Sequence, residues 1–189
     1  MKKTKNVYIL LTHTGSLLSN MIKLYTKEPY SHVSISFDQN LKEVYSFGRK
    51  KPRNPLIAGF IMEDIQKGTY SIFTETTYAL YSFSVDGEQH ERLRDCIATF
   101  ESMKDKSSYN LLGLIGIILG HPVNRTNSYF CSQFIACLFE RSGIEMFDKP
   151  FGLVTPTDFR TSGSMHILKS GKLTLFNSEL PLENAFYAN

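Results

Sequence analysis

The chain has 189 residues, of which 42% are hydrophobic and 21% charged, with a net charge of +3. This length suits one domain of about 100–200 residues, and the composition excludes a disordered, collagenous or low-complexity chain. The 21 basic and 18 acidic residues nearly balance, which gives no indication of nucleic-acid binding. We therefore predict a single globular domain that spans residues 1–189.

Cysteine usage and short apolar runs predict a cytoplasmic protein. Cys96, Cys131 and Cys137 form no CxxC pair, and no Cys or His stands at the spacing of zinc ligands. We therefore expect no metal, no cofactor and a reducing compartment. Residues 7–11 are too few for the apolar core of a signal peptide, which needs about 7–15 residues. The run 111–119 is shorter than the ~20 residues of a membrane span, so we expect a soluble chain without a transmembrane segment.

Apolar patterns in the first half of the chain predict strands around one short helix. Residues 7–11 are typical of a buried strand, and apolar positions at helical spacing over 17–25 predict an amphipathic helix. Polar and apolar residues alternate over 32–37, which predicts a strand, and residues 44–47 predict the strand that returns from it. Residues 49–68, which begin with a basic run, are predicted to be a loop that helps to set substrate specificity.

The second half of the chain is richer in helices. A strand is predicted within residues 78–85. The predicted helices cover residues 88–103, 109–120 and 129–142 and a segment that starts at Thr155, and a closing hairpin is predicted over 167–176. Strands precede and follow the helices without the regular alternation of βαβ units, so the sequence predicts the α+β class.

Cys131 is the candidate nucleophile. It falls in the first turn of the predicted helix 129–142, where free backbone N–H groups and the helix dipole favour an anion such as a thiolate. Its neighbour Ser132 is polar, which places the thiol at the edge of the core. An inert buried cysteine is the competing interpretation, and we keep it for Cys96 and Cys137.

His32 is the candidate base. A thiolate nucleophile needs a histidine within hydrogen-bond reach and a third group that orients the ring. His32 opens a predicted strand whose polar face it shares with Ser34 and Ser36. His13, at a strand end beside Gly15, is the second candidate. The three other histidines stand at positions typical of exposed or packing residues.

The two motifs together resemble a known superfamily. A His at the start of a strand–turn–strand hairpin (Tyr30-Ser31-His32-Val33-Ser34-Ile35) precedes a Cys at a helix start (Tyr129-Phe130-Cys131-Ser132-Gln133-Phe134-Ile135). This order resembles the circularly permuted branch of the NlpC-type papain-like superfamily, with its YiiX-like members and lecithin:retinol acyltransferase-like enzymes. The resemblance covers roughly residues 7–158. It implies a papain-like fold with a small antiparallel sheet packed against helices.

The resemblance also implies roles for individual residues. Cys131 would be the nucleophile, with its backbone N–H in the oxyanion hole, and His32 would be the base. The third polar residue of the family lies on the strand after the His, and a turn centred on Gln39 places Ser46 there. Tyr109 is similar to a tyrosine near the reacting centre of these enzymes. The residues expected to contact substrate are Tyr109, Ser132 and His13.

Three functions remain open at this point. The first is a cysteine amidase or peptidase that acts on a small peptide, amide or acyl substrate through an acyl-thioester on Cys131. The second is a lipid acyltransferase or thioesterase, in which the apolar helix over 109–120 would contact acyl chains. The third is a non-catalytic binding module, which a serine at position 46 favours. The basic run 49–53 is either a solvated loop or a contact for an anionic substrate or lipid head group. Oligomeric state is left open.

Overall fold

A six-stranded antiparallel sheet organises residues 4–177, the part of the chain that this computed structural model describes. The strands are β1 (Thr4–His13), β2 (His32–Ser36), β3 (Val44–Lys51), β4 (Asn54–Glu63), β5 (Thr77–Asp86), β6 (Ser108–Tyr109), β7 (Ser128–Tyr129) and β8 (His166–Lys172). The order across the sheet is β4-β3-β2-β1-β5-β8, and β6 and β7 form a separate parallel pair. The α+β class predicted from the sequence is confirmed.

Local capping chemistry sets the ends of the helices. The α-helices are α1 (Leu17–Thr26), α2 (Thr69–Ile72), α3 (Gly87–Ser102), α4 (Leu111–Leu119), α5 (Cys131–Arg141) and α6 (Pro156–Thr161), and 3-10 turns lie at Phe151–Leu153 and Leu173–Leu175. Asp86 begins α3 with a reciprocal capping box, and Thr155 with Pro156 begins α6. Gly120 ends α4 with a φ of 67°, a left-handed conformation that glycine adopts at little cost.

The main core lies between the sheet and helices α3 and α5. Every residue of α5 from Cys131 to Phe139 is buried, so this helix runs through the centre of the protein. An aromatic cluster of Phe47, Phe60, Phe100 and Phe134 joins β3 and β4 to α3 and α5, with ring centroids 5.0–6.2 Å apart. Complete burial of each such ring contributes about 2–3 kcal/mol. The cluster therefore fixes the helix that carries Cys131 against the strands beside His32.

The clearest difference from the sequence prediction is the β3–β4 hairpin. Residues 49–68 were predicted to be a loop, whereas β3 extends to Lys51 and β4 runs from Asn54 to Glu63. Pairing along β3 and the burial of Phe60 in the aromatic cluster stabilise β4 as the edge strand of the sheet. The basic run therefore forms the end of β3 and the turn into β4, not a long loop.

Two further elements differ from the prediction. Helix α5 begins at Cys131 and not at residue 129 as predicted, so Cys131 is its first residue. The predicted closing hairpin over 167–176 is wrong, because β8 runs unbroken through Ser170 and Gly171 and pairs with β5. Between residues 4 and 177 no helix has both the length and the apolar character needed to cross a membrane.

Candidate active site

His32 and Glu63 form the centre of the candidate site. His32 is the first residue of β2, and Glu63 is the last residue of β4, on the far side of β3. His32 Nε2 lies 2.7 Å from Glu63 Oε1, and their side chains are only 21% and 6% exposed. Gly48 on β3 leaves room for this contact, because a Cβ there would lie 3.3 Å from Glu63 Oε1.

Four side chains hydrogen-bond to the Glu63 carboxylate. His32 and the Ser46 hydroxyl contact Oε1, while Oε2 accepts from Ser34 Oγ at 3.0 Å and from the Tyr70 hydroxyl at 2.8 Å. A carboxylate has about four acceptor sites, so these four contacts use all of its capacity to accept hydrogen bonds. Glu63 is therefore held in one orientation and, through it, so is the His32 ring.

The same contacts determine the charges of the pair. Burial raises the pKa of Glu63, but the charge of His32 and hydrogen bonds from His32, Ser46 and Tyr70 outweigh it and lower this pKa below its usual value. Burial, together with the negative charge of Glu63, raises the pKa of Tyr70 well above its usual value. At neutral pH the carboxylate is therefore ionised, and Tyr70 is a neutral hydrogen-bond donor.

The Cys131 thiol lies beside the His32 ring. Burial lowers the pKa of His32, but the charge of Glu63, a hydrogen bond with Cys131 and a hydrogen bond with Glu63 raise it to about 10. The imidazole is therefore protonated at neutral pH, between a carboxylate and a thiol.

A buried amide network positions the start of α5. Asn110 Nδ2 donates to Gln133 Oε1 at 3.1 Å and to the Val123 carbonyl at 2.7 Å, and Asn110 Oδ1 accepts from Gly113 N. Gln133 Nε2 donates to Asn124 Oδ1 at 2.9 Å. Asn110 and Gln133 are fully buried. The network therefore ties the first turn of α5 to the first turn of α4 and to the loop between them.

An open cleft of about 350 Å³ adjoins this centre. The residues that bound it include His32, Glu63, Tyr70, Tyr109 and Arg49. Cys131 itself is only 5% exposed. Tyr109 is close enough to Cys131 and Arg49 for both to act on its pKa, which burial raises well above the usual value. The cleft therefore gives a ligand access to the His32–Glu63 pair.

Ser46 does not contact the His32 ring. The pairs Ile35↔Tyr45 and Ser36↔Val44 set the register of β2 and β3, which places Gly48, not Ser46, level with His32. The turn is centred one residue later than predicted, which shifts the pairing by two residues and keeps Ser46 on the same face. Its hydroxyl reaches Glu63 instead. The carboxylate in contact with the His32 ring is that of Glu63, and Ser46 supports it.

The three residues predicted to contact substrate, which are Tyr109, Ser132 and His13, have different surroundings. Tyr109 borders the cleft. Ser132 is buried, and its hydroxyl donates to the Val154 carbonyl at 2.6 Å, so it is committed to the core and not to a ligand. His13 is also buried, with Nδ1 3.3 Å from Ser31 Oγ, and burial together with the charge of Lys23 lowers its pKa.

Sequence reasoning missed Glu63 and Tyr70. Both fall within residues 49–68 or just beyond them, where no strand was predicted. The apolar stretch from Ile57 to Met62, which ends in an acid, was the pattern that could have indicated a strand with Glu63 at its end. Ser34 was already predicted to share a strand face with His32.

No protein-family model matches the sequence, and no curated protein matches it. Within residues 4–177, no three side chains of His, Cys, Asp or Glu lie close enough together to hold a metal ion. The chemistry of the site therefore has to be inferred from its own geometry.

Proposed function

We propose that the protein is a cysteine hydrolase that cleaves an amide or ester bond through an acyl-thioester on Cys131. The observation that carries this proposal is the position of His32, which lies between the buried carboxylate of Glu63 and the thiol of Cys131. A nucleophile, a base and a group that orients the base are the three parts of a catalytic triad.

Each side chain has a defined role in the proposed reaction. The Cys131 thiolate attacks the carbonyl carbon of the substrate and forms a C–S bond. Protonated His32 gives its proton to the leaving amine or alcohol as the C–N or C–O bond breaks. His32, now neutral, then removes a proton from water, which attacks the thioester. The acid is released, and the proton returns the pair to its starting state.

Two backbone features support the same chemistry. Cys131 is the first residue of an 11-residue helix, where backbone N–H groups have no partner within the helix and the dipole favours negative charge. These N–H groups suit the oxyanion that forms on the carbonyl oxygen. The order of elements, a His strand before a Cys helix, also supports a circularly permuted NlpC-type papain-like fold.

An acyl-enzyme experiment tests the proposal. The protein is mixed with p-nitrophenyl acetate, and p-nitrophenolate release and the mass of the intact chain are followed together. We expect a rapid burst and an acetyl group on Cys131 that hydroxylamine removes. Cys131→Ala should abolish both, and Cys137→Ala, which changes a buried cysteine of the same helix, should abolish neither. Absence of the burst and of the adduct would favour a non-catalytic binding module.

A second candidate function is hydrolysis or transfer of long acyl chains. It is favoured by Leu17, Met21 and Leu24 of α1, which are 80%, 60% and 81% exposed, while Ile22 of the same helix borders the cleft. Exposed apolar clusters of this kind often mark binding surfaces. Esters of increasing chain length separate the candidates. Rates that rise from acetyl to decanoyl esters, and fall again in Met21→Ser, would favour the acyl-chain enzyme.

A further inference from the structure

We propose that Arg49 forms a subsite for a carboxylate group of the substrate, in the cleft beside the catalytic pair. This inference rests on the proposed function, because it names a recognition group for the same site. Arg49 lies on β3 directly after Gly48, at the point where the strand passes the cleft.

The first observation is a half-buried positive charge without a matching negative one. The Arg49 guanidinium contacts the Ser16 hydroxyl and the Pro52 carbonyl, and it lies 5.6 Å from the centre of the Phe73 ring. All three partners are uncharged, and no carboxylate within residues 4–177 pairs with it. Burial lowers the pKa of Arg49, in line with a charge that has lost part of its hydration.

The second observation is the position of Arg49 relative to the proposed nucleophile. Tyr109 responds electrostatically to both Cys131 and Arg49, so its hydroxyl lies near both of them. Arg49, Tyr109 and His32 all border one cleft. A substrate that enters this cleft and contacts His32 is therefore within reach of Tyr109 and Arg49.

The charges along the cleft favour a carboxylate over a phosphate. Glu63 is matched by His32, and Lys67 is paired with Asp64 at 3.2 Å. Lys50 is exposed and donates to a backbone carbonyl at 2.9 Å. Arg49 is the remaining half-buried cation, and a guanidinium presents N–H groups that fit a carboxylate. One unmatched positive charge suits a singly charged ligand.

Alkylation of Cys131 by a matched pair of reagents tests this subsite. Iodoacetate carries a carboxylate, whereas iodoacetamide is neutral, and both place a methylene group on the sulfur with loss of iodide. The ratio of the two rates is measured for the wild type, Arg49→Gln, Arg49→Lys and Lys67→Gln. We expect Arg49→Gln to lower the iodoacetate-to-iodoacetamide ratio by about fivefold. Arg49→Lys should keep most of the wild-type ratio. Lys67→Gln, which removes an exposed and already paired charge, should leave the ratio unchanged.

Ligand-induced stabilisation provides a second readout that does not depend on a reactive thiol. We expect N-acetylglycine to raise the Tm of the wild type more than neutral N-acetylglycinamide does, and Arg49→Gln to remove this difference. An unchanged rate ratio in Arg49→Gln together with equal Tm shifts would overturn the subsite. A larger shift with inorganic phosphate than with N-acetylglycine would overturn its assignment to a carboxylate. If the triad fails but these differences persist, the cleft is an anion-binding site without catalysis.

Discussion

Glu63 is the residue on which the arrangement of the site depends most. Its carboxylate accepts hydrogen bonds from β2, β3 and α2 and fixes the ring of His32 in turn. An orienting carboxylate also stabilises the imidazolium that forms during catalysis. Ser46, which sequence reasoning placed in this role, contributes one of the contacts to Glu63 and does not touch His32.

This difference in roles gives a prediction at the residue scale. Glu63→Gln keeps the shape of the side chain but removes its charge, so we expect alkylation of Cys131 at neutral pH to slow by about tenfold or more. Ser46→Ala leaves the carboxylate with its other partners and should slow alkylation by less than about threefold. Rates are measured with iodoacetamide on variants whose circular dichroism matches the wild type. Equal effects of the two substitutions would contradict the role given to Glu63.

Sequence reasoning reached part of the site at this scale. It paired Cys131 with His32 because each residue carries a local pattern, a helix start and an alternating strand. Glu63 lies 31 positions beyond His32 and meets it only across β3. Such a contact depends on the register of β3 and β4, which the local pattern around Glu63 does not reveal.

At the scale of elements, the start of α5 is held by buried amides and not by a side-chain cap of its own. Asn110 caps α4 through Gly113 N and also contacts Gln133, so one side chain links two helix starts. Loss of a buried hydrogen-bonding side chain leaves its partners unsatisfied, at a cost of about 1–3 kcal/mol each.

We therefore predict that Asn110→Ala lowers the free energy of unfolding by about 2–4 kcal/mol. It should also slow alkylation of Cys131, because the first turn of α5 loses its anchor. Asn20→Ala is the matched control, since Asn20 is exposed and its side chain donates to the Gly15 carbonyl. Urea denaturation measures both variants. A change in Asn110→Ala no larger than in Asn20→Ala would show that the network does not hold the helix.

Elements with a strong local signal were predicted well. The helix predicted over 88–103 is α3 (Gly87–Ser102), and the Thr155–Pro156 start appears in the structure where the sequence indicated it. The edge strand β4 was missed, because its apolar residues follow a basic run and it has a single aromatic residue, Phe60, which is buried in the core. Long-range pairing with β3, not local preference, determines that segment.

At the scale of the whole molecule, the buried ion pair makes stability depend on pH. The pKa of His32 rises from 6.5 to about 10 on folding, so its contribution to the free energy of unfolding is complete below pH 6.5 and is lost as the pH rises through about 10. The pKa of Glu63 is lowered from 4.5, so its contribution is present above pH 4.5 and is lost as the pH falls through the lower folded-state value.

We predict that the stability difference between the wild type and His32→Gln is largest between pH 4.5 and pH 6.5, where both contributions are present, and shrinks toward pH 10. The wild type should lose up to about 1 kcal/mol per pH unit more than the variant between pH 6.5 and pH 10. Urea denaturation at several pH values measures both proteins. A difference that stays constant from neutral pH to pH 10 would show that His32 does not carry a raised pKa.

The central claim is that His32 and Cys131 act as one chemical unit. The most direct test is the rate of iodoacetamide alkylation of Cys131 as a function of pH, in the wild type and in His32→Gln. We predict rapid alkylation at a pH well below ~8.5, the usual pKa of a free thiol, and its loss in His32→Gln. Slow alkylation that follows the profile of a free thiol and does not change in His32→Gln would contradict the proposed catalytic pair.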